Sequence, residues 1–333
     1  MKAKFFLVIC LAAAGATGFA NGFLALGGAG DLIFDDPAWF APDIRLQAGV
    51  NLYAPLSDAW STFFSASFFH FFRPVDAQFR YLYSADWNVS FRSGDLFFKT
   101  GLSAKGEQLF APAYAWPDRF ENVLQVHLAC DIGEATVFLT PELCYNREDL
   151  VADNVLLRGE GGLTFPLGER AVATAKLKGR LTLVPLHYSI TNGAVELGLS
   201  HYPDLPFFYT LTLGALLQSS DYEETAAGVN MKRLDYFQLS LNFEGTAALS
   251  DRLLLKICLP VKLSFKNMGA IRDGYFNGES EWTLALAPEA ELSIALAGTQ
   301  NLVIGLKAEP FFSNSDYYDL GYAECSLAYK LAW

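Results

Sequence analysis

Four histidines, His70, His127, His187 and His201, are the side chains best suited to general acid-base work in this chain, because imidazole is the group that changes charge near neutral pH. None stands in a spacing that completes a site. The sequence has no Gly-x-Ser-x-Gly elbow, no His-Glu-x-x-His pair and no clustered carboxylate dyad. Only His127 falls clearly on a polar strand face, which makes it the one histidine to test for catalysis. Past the N-terminal segment, Cys130, Cys144, Cys258 and Cys325 are single and scattered, without the paired spacing of a metal or redox site. The expectation is no enzyme, no cofactor and no metal.

Charge offers more. Lys176, Lys178 and Arg180 alternate with uncharged residues, so in an extended strand they share one face about 7 Å apart. Their repulsion must be relieved by water, by anions or by acids on adjoining strands. Arg158 and Glu160 lie on the preceding segment, so the pattern reads either as a cross-paired polar face or as an anion-favouring constriction. Glu289 and Glu291 form an acidic counterpart, and Lys256, Lys262, Lys307, Arg92 and Lys99 complete the candidates.

The elements that must position these residues are strands. Between residues 83 and 92 the set Tyr83, Ala85, Trp87, Val89, Phe91 interleaves with Ser84, Asp86, Asn88, Ser90, Arg92, the period of two expected when the two faces of a strand meet different solvents. After Ser93-Gly94 the pattern resumes, which makes a hairpin. The same alternation recurs at 44–53, 122–131, 135–146, 155–165, 171–183, 195–201, 207–218, 235–246, 253–266, 282–296, 302–311 and 322–333. Residues 63–72 are aromatic on both faces, and 22–34 are glycine-rich and alternate poorly.

Hydrophobic residues make up 52% and aromatics 15% of the 333 residues, so something apolar must receive that surface. No stretch after the N-terminus reaches the ~18 unbroken apolar residues of a spanning helix, and the other structure that satisfies every backbone group in lipid is a closed barrel. At the N-terminus Lys2 and Lys4 precede an apolar run, and Gly18 and Ala20 supply small residues for cleavage. Residues 1–20 therefore read as a signal peptide and 21–333 as the mature domain. Cys10 follows Ile9, where a lipoprotein signal wants a small residue. A net charge of −12 argues against nucleic acid as a partner.

Connections alternate short and long, as in a barrel whose tight turns share one end. Counting 22–34 as the first strand gives an all-β, antiparallel up-and-down barrel of about 16 strands; 14 follows if that segment is a plug or tether and 63–72 is misread. The apolar face then meets lipid. The other face lines a wet lumen with Arg45, Gln47, Asn51, Arg92, Lys99, Lys105, Lys266, Glu309, Glu324 and Lys330 beside the candidates above, basic residues outnumbering acidic ones. Acids concentrate in loops, at Asp149, Asp153, Asp221, Glu223, Glu224, Asp273, Glu279, Glu281, Asp316 and Asp319. Trp39, Trp60, Trp116, Trp282 and Trp333 fall near strand ends, suited to headgroup girdles. Phe97, Phe138, Phe208 and Tyr236 are the lumen-face aromatics on which a sugar could stack.

The last segment alternates Ala323, Cys325, Leu327, Tyr329, Leu331 and Trp333 with polar or small residues. It resembles the final strand of Gram-negative outer-membrane barrels, whose terminal aromatic is read by the barrel-assembly machinery. The resemblance implies Tyr329, Leu331 and Trp333 as an assembly signal, a lipid bilayer as surroundings and the outer membrane of a diderm bacterium as location. Gly27-Gly28-Ala29-Gly30 followed by Asp36-Pro37-Ala38 looks like the start of the outer-membrane long-chain fatty acid transporters, with Asp in place of the Asn of their Asn-Pro-Ala motif. That likeness implies a lumen plug from residues 22–42. The leading expectation is a porin-like channel for passive diffusion of small polar solutes or ions, possible as a homo-oligomer. A plugged transporter of hydrophobic compounds is the alternative, and a surface adhesin using the apolar loop at 106–120 is a third.

Overall fold

The computed structural model describes residues 19–33, 36–73, 78–110, 119–148, 151–184, 188–202, 206–221, 224–226, 229–231, 235–266, 271–272, 275–276, 281–313 and 321–332. The wall begins with β1 (Phe19–Ile33), β2 (Asp36–Pro55), β3 (Trp60–Arg73), β4 (Gln78–Ser93), β5 (Leu96–Phe110) and β6 (Arg119–Ile132). It continues with β7 (Ala135–Glu148), β8 (Val151–Pro166), β9 (Ala171–Val184), β10 (Tyr188–His201) and β11 (Phe207–Ser220). β12 (Tyr236–Ser250), β13 (Leu253–Lys266), β14 (Glu281–Leu286 with Glu289–Ala297), β15 (Gln300–Glu309 with Phe311–Ser313) and β16 (Tyr322–Ala332) complete it. Each strand pairs antiparallel with its neighbours in sequence, and β1 pairs with β16 from Phe23 opposite Ala332 to Ile33 opposite Tyr322. The result is a closed barrel of 16 strands.

Closure decides the polarity of the wall. Leu24, Trp87, Leu102, Leu139, Leu177, Leu217, Leu306 and Leu327 are large apolar side chains turned outward and exposed, where a bilayer would cover them. Trp87 donates its indole N–H to Thr62 Oγ1 at 3.1 Å on that same face, so a polar group among apolar neighbours is satisfied within the wall. The buried apolar cluster is small, Val123, Cys144 and Leu156. Among the described residues, therefore, the interior holds no extended apolar core.

Tight turns cluster at one end, at residues 56–59, 94–95, 133–134, 167–170, 251–252 and 298–299. Gly94, Gly133, Gly168 and Gly298 hold positive φ there, between 56° and 80°, which a side chain with a Cβ adopts at a cost. Two strands carry a proline break: Pro288 splits β14 and Pro310 splits β15, because proline has no N–H for the ladder. Neighbouring bonds close around the gaps, Ala287 N–H to Pro260 O at 3.0 Å and Ala308 N–H to Pro288 O at 3.0 Å. The strand direction survives both.

The 16-strand count, and the reading of the glycine-rich segment as the first strand, hold. The plug does not: residues 22–33 pair with β2 and β16 in the wall, and 36–42 belong to β2. The small residues that suggested a plug are a strand whose inward positions Ala25, Gly27 and Ala29 leave room for side chains reaching over it. Residues 63–72 are wall as well, within β3. Trp60 and Trp282 stand exposed at the first residues of their strand stretches, at opposite ends of the barrel, and Trp39 is in β2. Trp116, Trp333, residues 1–18 and the apolar tip at 111–118, with Tyr114, lie outside the described residues.

Across β1, beside Gly27, the seam is clamped by Arg45. Its guanidinium donates to Asp43 Oδ1 and Oδ2 at 2.8 and 2.9 Å, and to Glu324 Oε1 and Oε2 at 2.9 and 2.8 Å, joining β2 to β16 across β1. The Asp43 side chain is fully buried there. Arg45→Ala leaves that carboxylate uncompensated, a loss of ~3–5 kcal/mol for a buried pair broken on one side. The expected outcome is a lower heat-unfolding midpoint of the detergent-solubilised barrel, read by heat-modifiable gel migration; an unchanged midpoint removes the clamp from the account of closure.

Candidate functional site: the lumen wall

Strand register stacks the inward side chains of β5 to β11 into rows. Lys99 stands opposite His127, Glu160 opposite Lys178, and Lys178 opposite Ala194. The row toward the long loops carries Gln125 opposite Glu142, Arg158 opposite Arg180, and Arg180 opposite Asn192. Toward the tight turns come Phe138 opposite Gly162, and Lys176 opposite Glu196. Residues of these rows line one recess of about 930 Å³.

Within the recess the bases find acids on neighbouring strands. Lys176 Nζ is 3.1 Å from Glu160, and Lys178 Nζ is 3.5 Å from Glu160 and 2.7 Å from Glu196. Arg158 reaches Glu121 at 3.1 Å and Glu142 at 3.7 Å, bridging β8 to β6 over the buried Cys144 thiol of β7. Gln125 Nε2 donates to Glu142 Oε1 at 2.7 Å. Arg180 differs: it donates to Thr182 Oγ1 at 3.0 Å and has no carboxylate partner among the described residues, and Lys99 has none either.

A second paired cluster lies on β13 to β15. Lys256 sits 3.6 Å from Glu291, and Lys307 sits 3.4 Å from Glu289 and 2.6 Å from Glu309. Arg92, near the tight-turn end, is 3.9 Å from Asp131. Lys262 stands opposite Ser240 and Ala285, with no carboxylate partner among the described residues. All ten charged candidates therefore face inward, in two clusters plus the separate Arg92 and Lys262.

One expectation needs correction. The acids are not confined to loops: Asp153 and Glu281, expected in loops, lie in β8 and β14, and Glu121, Glu142, Glu160, Glu196 and Glu244 are inward wall residues. They share the strand parity of their polar neighbours, so the alternation already pointed to them; what a single strand hides is the cross-strand register that sets each beside a base. Of the two readings left open for Lys176, Lys178 and Arg180, the cross-paired face holds for the lysines.

Within this recess aromatic groups break the polar surface along one strip. The Phe97 ring meets His127 edge-on at 5.8 Å between centroids, and His127 stacks on Phe138 at 6.1 Å. Lys176 Nζ lies 5.8 Å from the Phe138 centroid, and Phe138 covers Gly162, where a Cβ would come within 2.7 Å of the ring. His127 Nδ1 is 2.7 Å from Thr140 Oγ1, a contact that orients the ring and supplies no acid partner. Phe208 faces the lumen near the tight turns, 6.2 Å from Tyr202, and Tyr236 lies at the far end of β12, opposite Lys266.

No family model and no curated protein sequence matches the chain. Solved structures do. Pseudomonas aeruginosa OccD3 aligns with TM-score 0.54 at 11% identity, over 96% of this chain and 93% of that one. A loop-deletion form of OmpT, an outer membrane protein of Vibrio cholerae, aligns with TM-score 0.52 at 10% identity over 95% and 99%. Acinetobacter baumannii OccAB3 gives 0.52 at 7% over 95% and 100%. Likeness at such identities concerns the fold, and in fold this chain is a sixteen-stranded antiparallel barrel of the outer-membrane type.

Proposed function

We propose that this chain is an outer-membrane channel through which small polar solutes or ions diffuse passively. The observation that carries the reading is the inverted polarity of a closed wall: large apolar side chains outside, and inside paired charges and hydrogen-bonding groups around water-accessible recesses. A 16-stranded barrel is wide enough to leave an aqueous path. The protein binds no cofactor and catalyses no reaction in this reading, and its selectivity comes from the wall charges. Homo-oligomers are compatible with it; one structurally similar barrel, an in-vitro folded Vibrio cholerae OmpT, is described as a trimer.

Steady single-channel current from the refolded barrel in a planar bilayer tests the reading, and folded barrels without current would sink it. The ion pairs make a directional prediction. Glu160→Gln with Glu196→Gln leaves Lys176 and Lys178 unneutralised. An unscreened charge at ~4 Å in water is worth up to ~1 kcal/mol, so the anion-to-cation permeability ratio should rise by about two- to fivefold. The reversal potential under a salt gradient reads it, and a shift toward cations contradicts the assignment of these pairs to the solute path.

Export is part of the proposal, with 1–20 as signal peptide. Removal after Ala20 takes two residues of β1 and leaves its pairing with β16, which starts at Phe23, untouched. Terminal sequencing of the exported protein should therefore begin at Asn21. The assembly role proposed for Tyr329, Leu331 and Trp333 predicts that Trp333→Ala lowers the folded yield in cells and leaves refolding in detergent unchanged. Equal losses in both settings would make Trp333 a stability residue instead.

A further inference from the structure

The recess between β5 and β11 has chemistry that its ion pairs do not use up. At one end the strip of Phe97, His127 and Phe138 presents aromatic surface on the lumen side of the wall. His127 Nδ1 is engaged by the Thr140 hydroxyl at 2.7 Å, which leaves Nε2 without a protein partner among the described residues. Lys99, opposite His127, adds an ammonium without a carboxylate partner. At the other end stands Arg180, also without one, in register with like-charged Arg158. Arg158 Nε and Asn192 Oδ1 beside it have no hydrogen-bond partners. Between the ends the lining is Thr140, Glu160 and Lys178, which can donate to or accept from hydroxyls.

Distance selects the ligand. His127, in the middle of the aromatic strip, and Arg180 lie three strands apart, about 14 Å along the wall at ~4.8 Å per strand, so a single-ring acid stacked on His127 falls short of Arg180, whose side chain is held at Thr182. An elongated molecule with a flat aromatic ring, a hydroxyl-bearing middle and an anionic terminus reaches both. Planar bases stack on aromatic side chains and accept hydrogen bonds at their edges, while a guanidinium matches the oxygens of a phosphate.

We propose that this recess is a binding station for nucleoside monophosphates, the base lying on the strip of Phe97, His127 and Phe138 and the phosphate at Arg180. It deepens, and rests on, the reading of the lumen as a solute path.

Calorimetry on the refolded barrel in detergent, titrated with adenosine monophosphate, adenosine and ribose phosphate, tests the site. The same preparation is assayed for current in a planar bilayer. The nucleotide should bind at least about tenfold more tightly than either half-molecule. Arg180→Gln, which keeps a donor for Thr182, should abolish the advantage over adenosine. Phe97→Leu, which keeps apolar bulk without a ring, should reduce the advantage over ribose phosphate. Heat-modifiable migration confirms that each variant is folded. Ribose phosphate binding as tightly as the nucleotide, nucleotide affinity unchanged in both variants, or a folded barrel that binds none of the three would overturn the proposal. A barrel that conducts without binding nucleotide refutes this site alone, and one that binds nucleotide without current refutes the diffusion channel and keeps the site.

Discussion

The constraint on which the rest depends is that lipid offers no partner to a backbone N–H or C=O. An unpaired amide in an apolar medium costs roughly 2–7 kcal/mol, and a sheet edge many residues long multiplies that. The pairing of Phe23–Ile33 with Tyr322–Ala332 is thus the contact that lets the other strands exist in a bilayer. An even number of alternating strands brings both ends of the wall to the same rim, where the tight turns also lie. The proline breaks obey the same rule, since Pro288 and Pro310 interrupt strands whose neighbours still pair on both sides.

Closure also fixes what the interior must be. With apolar side chains turned to lipid, alternation forces every second residue inward, and charged groups meet across strands less than 5 Å apart. Like charges in such a row repel, so acids and bases alternate: Lys176, Glu160, Lys178 and Glu196 form one chain of contacts, and Lys256, Glu291, Glu289 and Lys307 lie side by side in a second cluster. Pairs exposed to water contribute only about 0.2–1 kcal/mol each. Their main effect is on the field, because a paired wall presents to a solute little of the charge that its residue count suggests.

Fold was legible because it is written in one-dimensional periodicity. Tyr83 to Arg92 alternates without fault, and the alternation of tight and long connections carried the topology. Segments that hid their role had physical reasons: on β1 the inward positions from 23 to 29 hold no polar residue to count, and Gly27 stands opposite Arg45, whose side chain reaches across the strand to Glu324. The recess was legible in part. Lys176, Lys178 and Arg180 were marked by spacing, while their neutralisation by Glu160 and Glu196 depends on register between strands, which no single strand encodes. The aromatic strip of Phe97, His127 and Phe138 joins three strands and needs the same knowledge.

In the proposed channel, selectivity would belong to the residues left out of the pairing. Once Lys176, Lys178, Lys256 and Lys307 are matched to acids, the bases without a described carboxylate are few, and Lys99 and Arg180 line the same recess. Arg180 keeps its place by donating to a threonine hydroxyl and lies beside Arg158, whose own charge is already held by Glu121 and Glu142. A cation so placed is anchored without being neutralised. The strands that cancel most of the charge in this recess therefore leave two of its points uncancelled, with Lys262 standing apart on β13, and in the proposed channel a solute would meet local, oriented attractions in place of a uniformly basic tube.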